Sequence, residues 1–185
     1  MRFEIKPTPL AGLNVVQRSV RADERGSFSR VFSATELAPA GWHAPVSQLN
    51  HSVTRERGTV RGMHFQRPPH AEMKLVSCLR GVVWDVAVDL RAGSPTFGRW
   101  HAERLSDENH RAMLIPEGFA HGFQALTDDV ELLYCHSAPY EAGAEGGVNP
   151  LDGRLAVAWP LPITRLSDRD RGLPALTDGY EGIRL

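Results

Sequence analysis

The sequence predicts an all-β protein, an antiparallel sandwich or barrel for which a jelly roll is the natural architecture. Three observations carry this. Residues 82–90, VVWDVAVDL, alternate strictly, with Val82, Trp84, Val86, Val88 and Leu90 on one face and Val83, Asp85, Ala87 and Asp89 on the other. Glycine (17) and proline (13) are scattered along the chain, as many short strands joined by turns require. Helical periodicity is nearly absent, so the strands have no crossover helices between them and pair antiparallel.

Strands are expected in order at 13–20, 27–32, 46–51, 59–66, 74–79, 82–90, 99–105, 112–115, 119–125, 130–136 and 155–158. The segment 119–125 puts Phe119, His121, Phe123 and Ala125 together, and 130–136 does the same for Val130, Leu132, Tyr134 and His136. Two short helical turns are expected at 33–38 and 167–171, where Ser33 and Ser167 are placed to cap the first backbone N–H groups. Residues 137–153, SAPYEAGAEGGVNPLDG, read as a long turn-rich loop of the kind that carries function.

With 185 residues and neither repeat nor linker, the chain is expected to form one domain, 1–185, able to bury a real core. Its hydrophobic (42%) and charged (23%) fractions are ordinary for a globular protein. A net charge of −1 without charge runs argues against nucleic acid or an anionic membrane as partner, while leaving room for a small anion held by local arginines. Cys78 and Cys135 sit in apolar strands and read as buried small hydrophobes. The N-terminus lacks a basic stretch followed by an apolar one, and no run reaches a membrane span, so a cytoplasmic location is expected.

Chemistry concentrates in RGMHFQRPPHAEMKLV, residues 61–76. His64 shares a strand face with Val60, Gly62 and Gln66; a strand histidine is more often structural, but its ordinary pKa suits a base if that face lines a pocket. Lys74 opens an apolar strand, where it either snorkels at the sheet edge or offers its ammonium to a developing oxyanion. Tyr134, between apolar neighbours, is either core or a proton donor in a polar pocket. Asp168 and Asp170, in LSDRD, form a solvated turn unless one of them folds back to orient His64. Arg25, Arg61, Gln48 and Asn50 are candidates to grip phosphates and a base. Strict alternation sets Arg61 opposite His64 unless Gly62 permits a bulge. His121 shares its face with two phenylalanines. The eight histidines form no HxH or HxxxH pair, so no metal site is expected.

With these residues on view, the chain resembles the dTDP-4-dehydrorhamnose 3,5-epimerase family from about Val20 to Leu176. The motifs are DERGSF (23–28), QLNHS (48–52), VRGMHFQ (60–66), the run 74–100 that begins KLVSCLRG, IPEGFAHGF (115–123), ELLY (131–134) and LSDRD (166–170). The resemblance implies a cupin-like jelly roll that needs no cofactor. It implies His64 as general base paired with Asp170, Lys74 as enolate stabiliser and Tyr134 as acid, with Asp168 at a variable position. Arg25, Phe28, Gln48, Asn50, Arg61, His121, Tyr140 and Glu145 become the substrate-binding set, and the implied assembly is a homodimer with an exchanged N-terminal strand. The expected substrate is a nucleotide-linked 4-keto-6-deoxyhexose.

Three positions depart from the family pattern. Arg30 stands where a glutamate is usual, paired tyrosines appear as Pro139 and Tyr140, and a WND sequence reads VNPLD at 148–152. These touch recognition rather than chemistry. Other readings are an epimerase acting at C3 or C5 alone on another nucleotide sugar, such as a CDP-linked one, a 3,4-ketoisomerase, a metal-dependent cupin, or a non-catalytic sugar-nucleotide-binding module.

Overall fold

The computed structural model describes residues 2–185. Its strands are β1 (Phe3–Pro7), β2 (Asn14–Arg18), β3 (Val20–Asp23), β4 (Gly26–Ser29), β5 (Gln48–Thr54), β6 (Val60–Gln66), β7 (Lys74–Arg80), β8 (Val82–Asp89), β9 (Trp100–Ser106), β10 (Arg111–Ile115), β11 (Phe119–Ala125), β12 (Val130–His136) and β13 (Glu145–Gly147). They form a six-stranded sheet in the order β1-β2-β10-β7-β12-β5, a five-stranded sheet β13-β6-β11-β8-β9, and the separate hairpin β3-β4. Every pairing within these sheets is antiparallel. The two large sheets make the expected jelly-roll sandwich.

Alternation explains where the core sits. Val76 and Cys78 of β7, Val83 and Ala87 of β8, Phe119 and Phe123 of β11, and Val130 and Leu132 of β12 meet between the sheets. The apolar face of β8 that alternation singles out does not join them. Val86, Val88 and Leu90 point outward and are buried by Val148, Leu155 and Ile183. The Ile183 N–H donates to Leu90 O at 2.6 Å and its carbonyl accepts from Ala92 N at 2.9 Å, so the C-terminal segment is strapped over this sheet. Trp42, Leu37 and Phe3 cover the other sheet's outer face, against Leu75, Leu114 and Cys135. Both sheets are thus buried on both faces over much of their area, and both cysteines are free and buried as expected. Burial pushes the Cys78 thiol up to about 12.

The short helices are α1 (Ala34–Leu37) and α2 (Asp168–Arg171), and Ser33 and Ser167 cap them as predicted. Other expectations are corrected. The strand expected at 13–20 is two elements, β2 and β3. Residues 155–158 form no strand; they pack under β9, with the Trp100 indole N–H donating to Leu155 O at 2.9 Å. The strands expected from alternation omit β1, the N-terminal strand, and β13, a glycine-rich edge strand inside the 137–153 loop. Among the described residues no helix is long and apolar enough to cross a membrane.

Candidate active site

The inner faces of the sandwich change from apolar to polar along the strands. On β12, Val130 and Leu132 belong to the core, while Tyr134 and His136 continue the same face into a cavity of about 1050 Å³. Lys74 does the same on β7 ahead of Val76, and Asn50 on β5 stands opposite Tyr134. The cavity is therefore the open end of the core, where the alternating pattern carries polar side chains.

His64 reaches it through an irregularity. β11 pairs with β6 as His121↔His64 and then Phe123↔Arg61, so one residue of β11 stands opposite two of β6. The extra residue turns Arg61 and His64, three apart, toward the same cavity, which removes the objection that strict alternation raised. Gly62 has φ +123°, and a Cβ there would meet Gly122 Cα at 2.6 Å, so the bulge depends on two glycines crossing.

Asp170 is delivered by α2. The Ser167 hydroxyl accepts the Asp170 N–H at 3.0 Å, and the turn buries Asp170 while Asp168 stays exposed. Asp170 Oδ1 lies 2.7 Å from His64 Nε2, and Oδ2 accepts the Gly62 N–H at 3.2 Å. Burial pushes the Asp170 carboxyl up, but the bond to His64, its charge and the Gly62 N–H outweigh this and hold it below the usual carboxylate range. An ionised Asp170 accepts from Nε2–H, which leaves the Nδ1 lone pair of His64 to take a proton.

Lys74 Nζ donates to His64 O at 3.3 Å and lies 3.1 Å from Glu72 Oε1. Tyr134 is flanked by His121, edge-on at 5.9 Å, and by His136, stacked at 6.0 Å. Burial pushes its phenol up, so it holds its proton throughout the neutral range. His121 Nε2 in turn lies 2.8 Å from Asp85 Oδ1. At the rim the Tyr140 hydroxyl donates to Glu145 Oε2 at 2.8 Å, and Arg169 pairs with the other oxygen of Glu145. Arg61 is anchored by donating to Thr54 Oγ1 at 3.1 Å and Val53 O at 3.2 Å. The arrangement places a carboxylate-oriented imidazole, a buried ammonium and a protonated phenol around one volume, which is what moving a proton beside a carbonyl requires.

A sequence model of the dTDP-4-dehydrorhamnose 3,5-epimerase family matches residues 7–178. The chain belongs to this family. It is 43% identical to the dTDP-4-dehydrorhamnose 3,5-epimerase of Streptomyces griseus, over 94% of this chain and 87% of that one. It is 42% identical to the dTDP-4-dehydrorhamnose 3-epimerase of Streptomyces niveus, over 97% and 86%. Its fold is similar to that of the Legionella pneumophila dTDP-6-deoxy-D-glucose-3,5-epimerase crystallised with dTDP-4-keto-L-rhamnose. There the TM-score is 0.91 and the identity 37%, covering 99% of this chain and 98% of that one. The chain is accordingly an isomerase of the epimerase type.

Within this epimerase, nine of the residues singled out in the sequence line the cavity: Asn50, Arg61, His64, Lys74, His121, Tyr134, Tyr140, Glu145 and Asp170. Gln48 does not line it. Its side chain donates to Asn50 Oδ1 at 2.9 Å and accepts the Tyr140 N–H at 2.9 Å, so it holds two residues that do. Arg25 and Phe28 lie apart, on the β3-β4 hairpin. Arg25 is exposed and paired with Asp23 at 2.6 Å, and Phe28 is 67% exposed. Arg30 pairs with Glu36 of α1.

Sequence reasoning missed Asp85, Glu72 and Arg169 as members of the site, and gave His136 no role. Asp85 had a visible signal: a carboxylate set between Val83 and Ala87 on one strand face needs a buried partner. The link from Arg169 to Glu145 joins α2 to β13, far apart in the chain, and left no local mark. Among the described residues, no cluster of three or more His, Cys, Asp or Glu is arranged to hold a metal ion.

Proposed function

We propose that this single jelly-roll domain epimerises a dTDP-linked 4-keto-6-deoxyhexose, with every proton moved by the chain's own residues. The observation that carries the assignment of roles is the 2.7 Å contact of His64 with Asp170 on the same cavity as Lys74 and Tyr134. The 4-ketone acidifies the hydrogens on C3 and C5. His64, oriented by Asp170, takes one of them as a proton. The Lys74 ammonium steadies the enolate oxygen as charge develops there. Tyr134 returns a proton to the opposite face of the ring, and the centre is inverted.

Arg61, Asn50, His121, Tyr140 and Glu145 are the cavity's substrate contacts in this reading. Arg25 and Phe28 join them from a second copy of the chain. In a homodimer with exchanged N-terminal strands, the exposed β3-β4 hairpin reaches the partner's nucleotide end. The assembly works in the cytoplasm, where nucleotide sugars are made.

A reading restricted to C3 is favoured by one relative, the Streptomyces niveus 3-epimerase at 42% identity. Incubation with dTDP-4-keto-6-deoxyglucose in deuterated water, followed by NMR, separates the two. Deuterium at C3 and C5 with both centres inverted establishes double epimerisation, and the same result at C3 alone the single-site reaction. Exchange at neither carbon refutes this substrate.

A further inference from the structure

Glu72 lies two residues ahead of Lys74, and its side chain is only 8% exposed. Its two oxygens have different partners: Oε1 is 3.1 Å from Lys74 Nζ, and Oε2 is 2.7 Å from His136 Nδ1. The other ring nitrogen of His136, Nε2, is 3.3 Å from Asn50 Nδ2, and Asn50 Oδ1 accepts from Gln48 Nε2 at 2.9 Å. Together these contacts make an unbroken row of hydrogen bonds along the cavity wall.

We propose that Glu72 and His136 are positioning residues, forming a relay of fixed polarity that holds the Lys74 ammonium and ties it to the Gln48–Asn50 pair. What the relay serves rests on the epimerase reading above; its polarity does not. The polarity follows from the chain's ends. A backbone N–H can only donate, so the Tyr140 N–H fixes the Gln48 oxygen toward itself, at 2.9 Å. Gln48 therefore presents its NH2 to Asn50, and Asn50 turns its own NH2 to His136. His136 Nε2 must then be a bare acceptor, which puts the ring proton on Nδ1, donating to Glu72. At the far end the ammonium is donor only and meets the remaining carboxylate oxygen. One of its three N–H groups goes to Glu72 and one to His64 O at 3.3 Å, which leaves the third for a substrate oxygen.

A carboxylate at position 72 is the only group of its size that satisfies both neighbours. In Glu72→Gln the amide oxygen must face the ammonium, so the amide NH2 faces His136. The imidazole must then carry its proton on Nε2, against the Asn50 NH2. Turning Asn50 over only moves the conflict to Gln48, which the Tyr140 N–H prevents from turning. The loss of one unit of charge and one acceptor oxygen is thus felt from Lys74 to Tyr140.

The test is NMR of isotope-labelled histidine at neutral pH, with kinetics beside it. Wild-type protein should show His136 neutral, with the proton on Nδ1 and Nε2 bare. Glu72→Gln should move the proton to Nε2, lower kcat about tenfold and weaken dTDP binding about tenfold, the cost of one unsatisfied buried polar group. A wild-type His136 that is protonated on Nε2 overturns the relay and needs no variant to be folded. A Glu72→Gln protein with the tautomer unchanged, or with kcat and dTDP affinity unchanged, overturns the positioning role. Absence of epimerase activity in the wild type would refute the substrate and leave the tautomer result standing.

Discussion

Asp170 Oδ1 lies 2.7 Å from His64 Nε2 although 106 positions separate the two residues in the chain. The pair depends on two local devices far apart in sequence: the bulge at Gly62, which aims the imidazole, and the Ser167 cap, which turns the LSDRD segment inward. Asp170 also binds the Gly62 N–H at 3.2 Å, so one carboxylate fixes both the ring and the strand that carries it.

Asp170→Asn should lower kcat by at least about 100-fold and up to about 10,000-fold, the scale for losing a carboxylate that holds a catalytic histidine in its tautomer. It should also change the acid stability in a definite direction. The folded carboxyl is held below its ordinary value of 3.8. Its stabilising contribution is therefore complete above about pH 4, where the unfolded carboxyl is ionised, and is lost as pH falls through the lower folded value. Urea midpoints of wild type and Asp170→Asn should differ at neutral pH and converge below about pH 4. A gap that persists in acid would assign the effect to packing.

Lys74 and Glu72 are 9% and 8% exposed, so either left alone is a buried, uncompensated charge. Lys74→Met should destabilise the fold by about 3 kcal/mol and remove the proposed enolate stabiliser, cutting kcat by about 100-fold or more. Replacing both residues, as Lys74→Met with Glu72→Leu, should recover much of the stability and none of the activity. Denaturant titration and turnover of the three proteins check this. Recovery of activity in the double variant would remove Lys74 from the chemistry.

Tyr134→Phe keeps the edge contact with His121 and the stack on His136 and removes only the phenol. Burial keeps that phenol protonated, so it can give a proton but not take one at neutral pH. Loss of inversion should therefore exceed loss of solvent exchange, by about 100-fold if Tyr134 is the general acid. The ratio of the two rates, measured by NMR in deuterated water, reports this. An equal fall in both would give Tyr134 a positioning role.

The legible parts of this site were those whose signal lies within one strand. Alternation placed Tyr134 on the face of Val130 and Leu132, and that face does run from core into cavity. Capping placed both helical turns, because Ser33 and Ser167 act on N–H groups only a few residues away. Alternation failed at Arg61, where the bulge adds a residue that no period-two rule contains. It also left open which face of β8 looks inward, since Val86 and Val88 are as buried as Val83 and Ala87 once the C-terminal segment covers them. Glu72 and His136 were obscure for a related reason. Each is identified by the other, 64 positions away in the chain, and a contact of that kind is not written locally.

Arg25 offers the most direct test of the proposed dimer. It stands on the hairpin apart from the cavity, its side chain 84% exposed and paired, among the described residues, with Asp23 alone. If the hairpin completes the partner's site, each site takes its base from one chain and its phosphate-gripping arginine from the other. His64→Ala is then inactive and Arg25→Ala has a raised KM. In a mixed dimer of the two variants, one site carries both lesions and the other carries neither. Co-refolding the two proteins should therefore restore a low-KM activity that neither shows alone. If Arg25 serves its own chain's cavity, both sites of the mixed dimer keep a lesion and no such activity returns. A dimer too stable to exchange after refolding is the useful case, because its composition can be fixed by purification on two different tags before the assay.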